Sequence, residues 1–149
     1  MKNPLRDRRA GVLLHPTSLP GPHGCGNIGQ DARRFINFLQ SAGITVWQML
    51  PLGPTHADRS PYQCLSVHAG NTGLICLDDL VAAGWLSPKL AASDSVDHCL
   101  QAAKAGFDAT ALPDQHRAYA AFKDTHGFWL NAYALYQAIR QSQQNRPWY

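Results

Sequence analysis

Two short apolar runs, an amphipathic segment between them and purely helical periodicity after them place this chain in the α/β class. Residues 11–15 (GVLLH) and 44–50 (ITVWQML) have the length and apolar content of strands, and the stretch between them repeats apolar residues at helical spacing. The arrangement is a βαβ unit. Such units are right-handed in nearly all cases, so the two strands run parallel and the loops that follow them open at one edge. From about residue 78 onward only helical patterns remain. The expected organisation is therefore a βαβ unit with its loops over residues 1–77 and a helical subdomain over residues 78–149.

The first strand is expected over residues 12–14, buried on both faces. Pro16 ends it, because proline has no backbone N–H for a ladder and biases His15 away from helix. The loop over residues 15–30, HPTSLPGPHGCGNIGQ, is rich in Pro and Gly, which fix tight turns and allow close backbone approach. A helix follows over residues 31–42, with Ala32, Phe35, Ile36, Phe38, Leu39 and Ala42 as its apolar stripe. Asp31 suits its positive end and Gly43 its C′ position. The second strand, residues 44–50, stops at Pro51-Leu52-Gly53-Pro54, and a second polar loop carries HADRSPYQ. Residues 74–77 are expected as a short strand or a buried extended segment. Asp78 is expected to cap a turn ending near Gly84, and Ser87 with Pro88 to open another helix. Val96, Cys99, Leu100 and Ala103 mark one helical face. Residues 114–126 form a helix stopped at Gly127, and residues 128–142 a last one, with Trp129, Ala132, Tyr133, Tyr136 and Ile139 facing inward.

Composition narrows the function classes. A chain of 149 residues is long enough to bury roughly 68–70% of its unfolded surface and to hold a core. Its 45% hydrophobic and 15% charged residues fit an ordinary globular domain, and no run of 18 apolar residues could span a bilayer. The basic N-terminus, with Arg6, Arg8 and Arg9 as a solvated tail, lacks the apolar core of a signal peptide, so the expected location is the cytoplasm. The net charge of +3 is modest and the basic residues do not line one face, which argues against a nucleic-acid partner. Cys25, Cys64, Cys76 and Cys99 form no CxxC pair and are expected to be reduced; the seven histidines show no metal-ligating spacing. Neither a metal nor a cofactor is expected. All ten acidic residues are aspartate, so the chain contains no glutamate.

Each motif has a functional and a structural reading. Gly24-Cys25-Gly26-Asn27-Ile28-Gly29 matches GxGxxG ahead of a helix, but nine residues separate Leu14 from Gly24 and no acidic residue ends the second strand. The structural reading is that these glycines turn the loop tightly into the helix. His15, at the mouth of the first strand, either touches a ligand or holds its own loop by hydrogen bonds. In Asp58 to Gln63 (DRSPYQ), Tyr62 offers a flat apolar face and a hydroxyl to a sugar ring, or else packs beneath its loop. Asp78 and Asp79 are adjacent on a helix, point different ways and fit helix capping better than paired carboxylate chemistry.

Read together, GVLLHPTSLPGPHGCGNIG, VWQMLPLGPT, SPYQCLSVHAGN, LICLDDLVAAGWL, FWLNAYALYQAIR and RPWY closely resemble the N-terminal part of the amylomaltases, the 4-alpha-glucanotransferases of glycoside hydrolase family 77. The resemblance extends from about Gly11 to Tyr149. Cys25 and Asn27 stand where that family more often has Ile and Asp, and His68 and Thr72 where Phe and Pro are common. The resemblance implies a (β/α)8 TIM barrel with an inserted helical subdomain, acting on α-1,4-glucans by a retaining mechanism with an Asp nucleophile, a Glu acid/base and a further Asp. It also implies that the loops after both strands face the active site.

Two expected strands and no glutamate can neither close that barrel nor supply that general acid. The chain is therefore expected to be an N-terminal portion of such an enzyme, inactive alone, with no catalytic residue of its own. Its contribution would be one wall of the glucan cleft: Tyr62 with Ser60, and His15 and Asn71. The expected partners are maltooligosaccharides or α-1,4-glucan and the remainder of the barrel, with no nucleic acid and no membrane. The alternatives are a non-catalytic carbohydrate- or partner-binding remnant and, more remotely, a dinucleotide-binding module.

Overall fold

The computed structural model describes residues 8–21, 24–93 and 95–146. Arg6 and the last three residues of the RPWY motif lie outside them, while Arg8 and Arg9 are exposed. Strand β1 (Gly11–Leu13), helix α1 (Gln30–Ser41) and strand β2 (Val46–Gln48) form the expected βαβ unit. The strands pair in parallel, Gly11 opposite Val46, Val12 opposite Trp47 and Leu13 opposite Gln48. Beyond the ladder, Leu14 N–H donates to Gln48 O at 3.1 Å and the Trp47 indole to Leu14 O at 2.8 Å, so the mouth of β1 is tied to β2.

Both strands are shorter than expected and neither is buried on both faces: Leu13 is 58% exposed. The physical reason is the lack of strand neighbours, since the described sheet has only two strands. On the covered face, α1 packs Phe35 edge-on against Trp47 with centroids 5.0 Å apart. Ala32 and Leu39 are buried in α1, but Ile36 and Phe38 of its apolar stripe remain exposed. Gly43 adopts the left-handed conformation expected of a C′ residue, with φ at 71°.

The rest of the chain is helical: α2 (Leu77–Ala82), α3 (Pro88–Ser93), α4 (Val96–Thr110) and α5 (Pro113–Ser142). Residues 74–77 are not a strand. A 3-10 turn, Thr72–Leu74, leads through extended Ile75 and Cys76 directly into α2, so Asp78 and Asp79 lie in its first turn, where the helix dipole favours acids, and Cys76 occupies the N-cap position. Asp79 accepts both guanidinium N–H groups of Arg33 at 2.7 and 3.1 Å, joining α2 to α1. Ser87 and Ser95 accept the amides of Leu90 and His98, each at 3.3 Å, and so cap α3 and α4. Leu86, Cys99 and Ala103 form a buried cluster against Leu77, Leu80, Val81 and Leu90. Val96 sits at the rim, although its spacing put it on the same face as Cys99.

The two helices expected on either side of Gly127 are one helix of 30 residues. Glycine costs only about 1 kcal/mol in a helix interior, which flanking helix formers outweigh. None of the α5 residues is fully buried: Trp129, Tyr133 and Tyr136 are half-buried, and Ala132 and Ile139 are exposed. Ring contacts attach α5 to the body, Phe107 to His116 and Tyr119 at one end and His68 to Phe128 and Trp129 further along. The four cysteines are free, and among the described residues no helix is long and apolar enough to cross a membrane.

Candidate functional site

The loops after β1 and β2 meet, as the parallel strands require. In the first, His15 keeps extended backbone angles and caps a 3-10 turn, Pro16–Ser18. Its Nδ1 lies 2.7 Å from Thr17 Oγ1 and accepts the Thr17 N–H at 3.4 Å. Both contacts are satisfied when Nδ1 is the acceptor, which leaves the proton of the neutral ring on Nε2. That Nε2 is buried and has no hydrogen-bond partner among the described residues. The glycine pattern that follows is structural. A Cβ on Gly26 would strike the carbonyls of Pro16 and Leu19, and one on Gly29 would strike the Cys76 side chain, so the loop closes onto itself and onto the start of α2.

The second loop is pinned by short-range bonds. Thr55 pairs with Cys64 in an isolated antiparallel bridge, and Leu65 N–H donates to Pro54 O at 2.7 Å. Within it, Asp58 accepts the Ser60 N–H at 3.1 Å, while Arg59 takes the left-handed conformation, φ 57°. Tyr62 is 74% exposed, so its ring does not pack under the loop. The chain then returns. Asn71 N–H donates to Leu52 O at 2.8 Å, its Oδ1 accepts the Gly73 N–H at 2.9 Å, and Ile28 N–H donates to Leu74 O at 2.9 Å, which joins the two loop systems.

These segments enclose an open groove of about 980 Å³. Its polar lining includes His15, Asn27, Arg59, Asn71 and Asp78. His15 and Asn71 are thus brought together; Ser60 and Tyr62 are not on the groove wall, although Pro61 between them is. Sequence reasoning missed Asn27, Arg59 and Asp78. The first two were visible only as polar residues in Gly- and Pro-marked loops, and Asp78 had been assigned to capping. Asp78 is the one carboxylate on the lining among the described residues. A single carboxylate, with no glutamate in the chain, does not make the acid/base pair that glycoside chemistry uses. The hydrogen bond from Arg33 pulls the Asp79 carboxyl below its usual range, and the same bond to Asp79 raises Arg33. The hydrogen bond to Asp108 raises Lys104, and burial pushes the Tyr133 phenol up. No group of three or more His, Cys, Asp or Glu side chains suited to a metal occurs among the described residues.

The family model described as 4-alpha-glucanotransferase matches residues 14–149. A 4-alpha-glucanotransferase of Thermus thermophilus is 42% identical over 152 aligned residues, covering 95% of this chain and 30% of the relative. One from Synechocystis is 38% identical, covering 97% and 32%. Among solved structures, the amylomaltase from Streptococcus agalactiae in complex with acarbose superposes with a TM-score of 0.81 at 31% identity, covering 93% of this chain and 31% of that one. The chain spans about a third of the length of these relatives, in their N-terminal part.

Proposed function

The chain belongs to the 4-alpha-glucanotransferase family, and from that premise we propose that it supplies one wall of an α-1,4-glucan-binding groove in an enzyme that transfers glucan segments between maltooligosaccharides. The observation that carries this reading is the meeting of His15 and Asn71 on one groove formed by the loops after two parallel strands, the face on which barrel enzymes hold their substrates. The βαβ unit of residues 1–77 is then the start of a (β/α)8 barrel and residues 78–149 its helical subdomain. In that role Asn71 donates to sugar hydroxyls, His15 holds the first loop on the groove through Thr17, and Arg59 and Asp78 offer further donors and acceptors along the wall. Tyr62 and Ser60 form the lip, where the exposed tyrosine ring gives a stacking face to a glucose unit.

Retaining transfer needs an Asp nucleophile and a Glu acid/base. With no glutamate among its 149 residues, the chain binds and orients glucan, and the acid/base must come from polypeptide outside it. The remaining barrel strands are the partner that the open two-stranded sheet accommodates. The test is to incubate the purified chain with maltotriose and maltoheptaose, following glucose release and binding in parallel. The expected result is saturable binding without glucose release. Glucose release would overturn the non-catalytic part, and absence of binding to either sugar would overturn the groove. The same binding by a chain that no complementary barrel fragment can activate would favour a stand-alone carbohydrate-binding remnant.

A further inference from the structure

The loop that brings Asn71 to the groove is also gripped from its outer side. Ser66 Oγ accepts the amides of His68 and Ala69 at 3.2 and 3.1 Å, a turn that buries Ala69 and sends the His68 ring outward. There it stacks on Trp129 of α5, centroids 5.7 Å apart at 23°, and meets Phe128 edge-on at 5.5 Å and 82°. Trp129 is oriented in turn, its indole N–H donating to His126 Nδ1 at 3.4 Å, with His126 against Phe122 at 4.5 Å. Inside the loop, Asn71 is fixed by its N–H to Leu52 O. Only Ala69 and Gly70 separate the ring held by α5 from the amide on the groove wall, and Gly70 has no side chain to hold it.

We infer that His68 is a positioning residue, clamping the Asn71 loop onto α5 and so fixing the groove wall through Trp129 and Phe128. Its significance for sugar binding rests on the glucan reading of the groove; the clamp itself does not. Ring pairs of this geometry shift an opening equilibrium by up to about tenfold. The test is amide hydrogen exchange on the isotope-labelled chain, with the Cys99 amide, bonded to Ser95 O in the helical core, as control. We expect His68→Ala and Trp129→Ala to speed exchange at Ala69, Asn71 and Gly73 several-fold to about tenfold, leaving Cys99 unchanged. His68→Phe, which keeps both ring contacts, should restore protection. Maltoheptaose affinity should fall with His68→Ala and recover with His68→Phe. Unchanged exchange at Asn71 in His68→Ala, or a uniform rise that includes Cys99, would overturn a local clamp. If exchange at Asn71 responds but no form of the chain, wild type included, binds maltoheptaose, the clamp stands and the glucan reading of the groove falls.

Discussion

Tyr62 and Asp79 show how differently two exposed side chains behave. The Tyr62 ring contributes little to folding because it is not packed, so Tyr62→Ala should leave the thermal midpoint unchanged while weakening maltoheptaose binding several-fold to about tenfold. A fall in the midpoint matching the loss of affinity would mean the ring packs in solution. Asp79 is the reverse case, tied into the fold by its ion pair with Arg33. Its carboxyl is held below the usual range by Arg33, so the pair's contribution is present above the ordinary carboxylate range and is lost as pH falls through the depressed value. Urea unfolding of Asp79→Asn should therefore show a small deficit that is constant from about pH 5 to 8, disappears in strong acid and shrinks in salt. A deficit that grew on acidification would contradict the ion pair as its source. At this scale the sequence revealed residue types but not partners. His15 was recognisable as a loop or ligand histidine, and the structure shows it fills the first role through Thr17 and leaves Nε2 unpaired; nothing in the sequence shows that unpaired atom.

Among the elements, α1 was legible from its apolar spacing with Asp31 and Gly43 at its ends, α3 from Ser87 ahead of Pro88, and α4 from the Cys99 and Ala103 face turned inward. The junction at Gly127 was not, because a glycine signals an ending only when nothing bridges it, and 14 helical residues on one side continue into 15 on the other. The two helical glycines now predict opposite outcomes. At Gly127 an added Cβ meets only Asn131 Nδ2 at 3.7 Å, so Gly127→Ala should stabilise the chain by about 0.5–1 kcal/mol. At Gly106 the same Cβ would strike the Trp85 carbonyl, so Gly106→Ala should destabilise it despite alanine's better propensity. Denaturant midpoints of the two variants check this pair, and equal shifts of one sign would contradict the close approach of α4 to Trp85.

For the molecule as a whole, two groups of apolar residues contrast. Leu86, Cys99 and Ala103 close a small core among the helices, whereas Leu13, Ile36, Phe38, Phe128 and Leu135 lie open around the two-stranded sheet and along α5. Open faces of this kind bind hydrophobic dyes and associate, so sedimentation of the isolated chain should show concentration-dependent association. A monodisperse monomer that unfolds cooperatively would contradict an incomplete barrel. The sequence disclosed the βαβ topology because topology follows from the order of patterns. It could not disclose which faces stay uncovered, since a strand such as β1 has the same pattern whether or not its neighbours are present. The measurement that tests the central claim most directly is an amide NMR titration of the labelled 149-residue chain with maltoheptaose. Saturable shifts gathered at His15, Asn27, residues 59–62 and Asn71 are predicted. Shifts absent at saturating sugar, or gathered on α5 instead, would contradict the groove as the glucan-binding wall.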